Sequence, residues 1–86
     1  MKVDFYSTTF CEPCMVTRTV LADAARLVPG MTLAEHDVVL HEAEAEARGV
    51  RSAPTVIVSD GNGGEVFRAE GIPTLNQVLV ALAKAV

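Results

Sequence analysis

The chain of 86 residues predicts an α/β fold of order βαβαββα, in which two parallel strands and a hairpin form one four-stranded mixed sheet with helices on both faces. Three observations support this. Short runs of β-forming residues alternate with segments of helical period, glycine and proline clusters punctuate the boundaries, and Asp60-Gly61-Asn62-Gly63-Gly64 separates the last two strand patterns as a hairpin turn. No repeat, linker or low-complexity segment interrupts the order, so residues 1–86 are expected to form a single domain. A chain of this length buries roughly 60–65% of the surface its unfolded state exposes, enough for one core without staples.

Val3-Asp4-Phe5-Tyr6 is the first strand, and Ser7-Thr8-Thr9-Phe10 carries it to Cys11-Glu12-Pro13-Cys14. Val16, Val20, Leu21, Ala24, Leu27 and Val28 then share one helical stripe, closed by Pro29-Gly30, while Pro13 fits a first turn where no intrahelical N–H is required. A second strand is expected over 32–39. It leads into a helix through the alternating Glu/Ala block, an exposed and strongly helix-forming surface that stops at Gly49. Pro54 to Val58 and Glu65 to Ala69 are the hairpin strands. Thr74 and Gln77 have the spacing of a capping box, opening a last helix with Leu75, Val78, Leu79, Leu82 and Val86 on one face.

The two cysteines carry the chemistry. At i and i+3 on a first helical turn their Cα atoms lie about 5–6 Å apart, within the range a disulfide tolerates, so the pair can open and close without rebuilding the fold. A bridge closing so short a loop removes little unfolded-state entropy, which argues for a redox rather than a structural role. Unpaired N–H groups and the positive end of the helix dipole favour a thiolate on Cys11 over one on Cys14. Cys11 is the expected nucleophile and Cys14 the resolving thiol.

A net charge of −4, with seven scattered basic residues, argues against nucleic acid or an anionic membrane as partner. The N-terminus enters a strand pattern without an apolar leader, and no run of eighteen apolar residues occurs, so a cytoplasmic location is expected. A second use of the cysteines, with His36 and His41 in a tetrahedral metal site, fits poorly: 21 residues separate Cys14 from His36, beyond the usual zinc-finger spacing. No metal is expected.

Three segments in order resemble the thioredoxin family in its smallest form: Val3-Asp4-Phe5-Tyr6 leading to Phe10-Cys11-Glu12-Pro13-Cys14, then Gly49-Val50-Arg51-Ser52-Ala53-Pro54-Thr55, then Gly71 ahead of the last helix. The resemblance covers nearly the whole chain and implies a minimal thioredoxin fold. It further implies a cis Ala53–Pro54 bond against the dithiol, with the Ala53 backbone free to pair with an extended substrate segment. Phe10, Glu12, Pro13, Ala53, Gly71 and Ile72 are the implied substrate surface. The implied activity is reduction of protein disulfides by thiol–disulfide exchange, by a monomer with no cofactor of its own, re-reduced by a flavin-containing reductase fed by a pyridine nucleotide. Glutaredoxin-like electron donors that use glutathione or serve ribonucleotide reductase share this size and topology. Glutaredoxins that use glutathione carry a Gly-Gly turn before the last helix and usually Pro-Tyr between the cysteines, where this chain has Glu70-Gly71-Ile72 and Glu12-Pro13, so the thioredoxin type fits better.

Departures from the family pattern are informative. Phe10 replaces the usual tryptophan, keeping an apolar platform while removing an indole donor. Glu12 replaces the common glycine; its charge suits the first helical turn but opposes the Cys11 thiolate by about 1 kcal/mol or less, so the couple is expected to be more reducing. Asp4, within the first strand, is the candidate proton acceptor for Cys14, although one extra residue separates it from Cys11 relative to the family. The alternative for Asp4 is an acid near a strand end bonded to solvent or to Lys2.

Overall fold

In the computed structural model, which describes residues 1–86, β1 (Lys2–Ser7) and β3 (Thr55–Ser59) form the middle of a sheet ordered β2-β1-β3-β4. β2 (Thr32–Asp37) runs parallel to β1, whereas β3 is antiparallel to β1 and β4 (Glu65–Glu70) antiparallel to β3. β3 is buried throughout, with the apolar run Val56-Ile57-Val58 between Thr55 and Ser59, and the edge strand β2 is largely accessible. Strand alternation divides the central side chains between two faces. Val3, Phe5, Val56 and Val58 join Leu21, Ala24, Val78 and Leu82 in the main core beneath α1 (Glu12–Leu27) and α3 (Leu75–Lys84). Tyr6 and Ile57 pack on the other face with Ala45 of the short α2 (Glu42–Ala47) and with Val50.

α1 departs from the expected stripe. Its buried residues are Cys14, Thr17, Leu21 and Ala24, while Val16 and Leu27 are exposed. Thr17 can occupy the buried line because its hydroxyl donates to the Pro13 carbonyl at 2.8 Å, leaving only its methyl to pack. The helix thereby turns Cys14 into the core and sets Val16 on the surface beside it. α2 ends in a Schellman motif, with the Val50 N–H donating to Ala45 O at 2.8 Å, the Gly49 N–H to Glu46 O at 3.0 Å, and Gly49 at φ 70°. The β3–β4 turn is held by Asp60, whose Oδ1 accepts from the N–H groups of Asn62 and Gly64 at 2.9 Å each.

α3 opens with the expected capping box: Thr74 Oγ1 accepts from the Gln77 N–H at 3.0 Å, and Gln77 Oε1 from the Thr74 N–H at 2.9 Å. Its buried line is Val78, Ala81 and Leu82, continued by Ala85; Val86 lies past the helix end and is exposed.

Candidate active site

β1 ends at Ser7, and the loop that follows delivers Phe10 and Cys11 to the start of α1. Phe10 has a φ of 55°, a left-handed conformation that costs a non-glycine residue about 1 kcal/mol, and its ring stands fully clear of the surface. Cys11 is the N-cap of α1, and its Sγ accepts a hydrogen bond from the Cys14 N–H at 3.1 Å. That donor is one of the N–H groups a helix start leaves unpaired, so the sulfur replaces the usual serine or aspartate oxygen. Cys11 and Cys14 are joined as a disulfide, with Cα atoms 5.2 Å apart. Burial separates the two sulfurs: Cys14 belongs to the main core at 1% exposure, whereas Cys11 is half-buried at the surface.

The Ala53–Pro54 bond is cis and Pro54 is buried at the head of β3. The Pro54 carbonyl accepts from the Gly71 N–H at 2.8 Å, which ties the segment before α3 to the proline loop; Gly71 has a φ of 108°, open to glycine at little cost. Neither the N–H nor the C=O of Ala53 makes a hydrogen bond within the chain, and its methyl packs at the border of the main core. On the side of Cys11 towards α3 lies a groove of about 450 Å³ lined by Glu12, Pro13, Met15, Val16 and Ile72. Met15, Val16 and Ile72 are among the exposed large apolar side chains. On the other side a cleft of about 570 Å³ is walled by Phe10, Cys11, Glu12, Arg18, Glu35 and Asp37, among others.

Glu35 in that cleft is committed: it receives Arg18 Nε at 2.9 Å and the Ser7 hydroxyl at 2.7 Å, and the Arg18 hydrogen bond holds its carboxyl below the usual range. The Arg18 guanidinium also stands over the Phe5 ring, 5.7 Å from its centroid.

Asp4 is not brought to the cysteines. It pairs with Ile57 across the sheet and points to the α2 face, whereas Cys14 packs on the opposite face with Val3 and Phe5. The expectation that Asp4 takes the proton of Cys14 is therefore corrected. The β1 side chain sent towards the Cys14 side from the neighbouring position is Phe5, because side chains alternate along the strand. Asp4 is instead bound by His36, whose Nε2 lies 2.8 Å from Oδ1, by Lys2 at 3.6 Å and by Arg48 at 3.4 Å. Burial pushes its carboxyl up, but the His36 hydrogen bond and the two cations outweigh burial and hold it below the ordinary value of 3.8. Lys2 was the partner expected from sequence; His36 and Arg48 were not legible, since they come from β2 and from the end of α2.

The four residues of the alternative metal site do not converge. His36 lies on the α2 face, stacked on Tyr6 with ring centroids 4.9 Å apart and bonded to Asp4, while the cysteines sit at the start of α1.

No family model matches the chain. It is 32% identical over 82 residues to a thioredoxin of Chlamydia muridarum, covering 95% of this chain and 78% of that protein. Among solved structures it is similar to thioredoxin 1 of Thermosipho africanus, with a TM-score of 0.84 at 19% identity over 98% of this chain and 92% of that one. It is also similar to a mutant thioredoxin of Halobacterium salinarum, with a TM-score of 0.87 at 23% identity over 98% and 73% of the two chains. With that shared sequence along nearly its whole length and a Cys-x-x-Cys disulfide at the start of its first helix, the chain belongs to the thioredoxin family and is a dithiol–disulfide oxidoreductase.

Proposed function

We propose that the chain reduces disulfides of partner proteins, with Cys11 as the attacking thiol and Cys14 as the resolving one. The observation that carries this is the asymmetry of the pair: Cys11 is partly exposed at the surface and its Sγ accepts the Cys14 N–H, while Cys14 is enclosed in the core. A helix-start N–H stabilises a thiolate, and only an accessible thiolate reaches a partner disulfide.

In the first step the Cys11 thiolate bonds to one partner sulfur as the partner S–S bond breaks, releasing one partner thiolate. Cys14 then bonds to Cys11 Sγ, the mixed disulfide breaks, and the second partner thiolate leaves. Two electrons pass from the dithiol to the partner. Since Asp4 is on the other face, Cys14 gives its proton to the partner thiolate released first or to water.

The partner segment is proposed to lie extended along Ala53, whose free N–H and C=O offer a short β-pairing, with its apolar side chains against Ile72, Met15 and Pro13. Pro54 orients Ala53, Gly71 fixes the position of Ile72, and Phe10 supplies a further apolar platform. Glu12 disfavours the Cys11 thiolate and makes the couple more reducing. No helix is long and apolar enough to cross a membrane. A monomer working in the cytoplasm, re-reduced by a flavin-containing reductase, completes the proposal, since a reducing dithiol needs a compartment poised to keep it reduced.

The test is a coupled assay in which a flavoprotein disulfide reductase oxidises NADPH in the presence of this chain and insulin. Sustained NADPH oxidation with precipitation of the reduced insulin B chain is expected, and Cys11→Ser should abolish it. Cys14→Ser should instead accumulate a mixed disulfide through Cys11. Accumulation through Cys14 in the Cys11→Ser protein, with none in Cys14→Ser, would reverse the assignment.

A further inference from the structure

The cleft between Phe10 and β2 holds an imbalance of charge that the reduction step itself does not use. Glu12, Glu35 and Asp37 line it with Arg18 as the one cation, and Arg18 is spent on Glu35 through paired contacts from its guanidinium. Glu12 has no ion-pair partner. Asp37 is fixed in place by the N–H groups of Val39 and Leu40, which donate to its Oδ1 at 2.8 and 3.2 Å, but no cation neutralises it. Two uncompensated carboxylates thus share a cleft with Cys11. Next to them stands the Phe10 ring, fully exposed, whose face suits the alkyl stem and cationic head of lysine or arginine.

Resting on the reading of Cys11 as the attacking thiol, we infer that this cleft selects partner proteins whose disulfide is flanked by lysine or arginine, and that Glu12 and Asp37 are the specificity-determining residues. The exchange step is unchanged. The cation lies over Phe10 with its charge towards the two carboxylates as the partner sulfur approaches Cys11. A partner with an acidic residue at the same place meets like charge at the moment of attack, so selectivity acts mainly on the second-order rate.

The experiment compares three disulfide peptides identical except for lysine, glutamine or glutamate beside the cysteine. They are reduced by the full chain after its own reduction and removal of reductant. Each rate is divided by that with dithiothreitol, a small dithiol without the cleft, to remove the peptide's intrinsic reactivity towards a thiolate. At low salt the lysine peptide should be reduced about tenfold faster than the glutamate peptide, and the ratio should shrink at high salt. Within the E12Q and D37N proteins, each measured as its own lysine-to-glutamate ratio, the preference should fall, and in the double variant approach one. A ratio of one in the unmodified chain, or a ratio insensitive to both substitutions, would overturn the inference while reduction of the glutamine peptide still upheld the disulfide-reducing activity. Failure to reduce any of the three would overturn both.

Discussion

Asp4 shows how a single side chain acquires or loses a role through strand alternation. Its place beside Ile57 and under α2 makes it a structural anion, bound by His36 from β2, Lys2 from its own strand and Arg48 from the end of α2. Asp4→Asn should therefore cost about 2 kcal/mol of folding stability at neutral pH, the scale of hydrogen bonds to a charged buried group, read in urea unfolding. Resolution of a mixed disulfide by Cys14 should proceed at an unchanged rate, since the carboxylate lies across the sheet; slowed release in the variant would restore the proton-acceptor role. Folding lowers the Asp4 pKa, so the folded state takes up its proton less readily than the unfolded chain. The carboxylate's contribution is thus complete above the unfolded value near 3.8 and disappears as pH falls through the lowered folded value. Unfolding stability measured from pH 6 to pH 2 should fall less steeply in Asp4→Asn. The sequence showed an acid in a covered strand but not which face it takes, because that depends on how many loop residues separate the strand from the cysteines. One residue changes the answer.

At the scale of elements, the order of strands and helices was legible because each boundary has its own chemistry: Pro13 in a first turn, Gly49 past a helix end, the Asp60 to Gly64 turn, the Thr74 and Gln77 box. The phase of α1 was not. Hydropathy favoured Val16 and Leu27 for the core, yet the helix buries Thr17, whose hydroxyl is satisfied by its own backbone, and exposes both aliphatic residues. This exposure puts Val16 in the groove beside the disulfide, so part of the apparent core pattern is exposed surface. The end of α2 gives a sharp test. Gly49→Ala forces an L side chain into φ 70° and should lower stability by about 1–2 kcal/mol, a shift of several degrees in Tm. Gly61→Ala, where an added Cβ meets nothing and φ is not left-handed, should change Tm little. Equal losses in both would show that the Schellman end of α2 carries no special cost.

For the molecule as a whole, the disulfide is a reactive group mounted on a fold that stands without it. The main core joins β1 and β3 to α1 and α3 through Val3, Phe5, Leu21, Val56, Val58, Val78 and Leu82, with Cys14 a single member of the same cluster. Closing a loop as short as that between Cys11 and Cys14 removes about 2 kcal/mol or less of unfolded-state entropy, so the reduced protein should unfold cooperatively with only a modest loss of Tm. Calorimetry of the two forms checks this, and a reduced form without a cooperative transition would make the bridge structural. The overall architecture and the dithiol were readable from three separated motifs. The acidic imbalance of the Cys11 cleft was not, since Glu35 and Asp37 reach it from β2 only once that strand lies beside β1.

If Cys11 and Cys14 form one reversible two-electron couple, equilibrating the protein with glutathione buffers of graded poise and counting free thiols at each will show it. Both thiols should appear together in a single transition, at a poise more reducing than that of the glutathione pool. Two separate one-thiol transitions, or no return of the oxidised protein to two thiols, would contradict it.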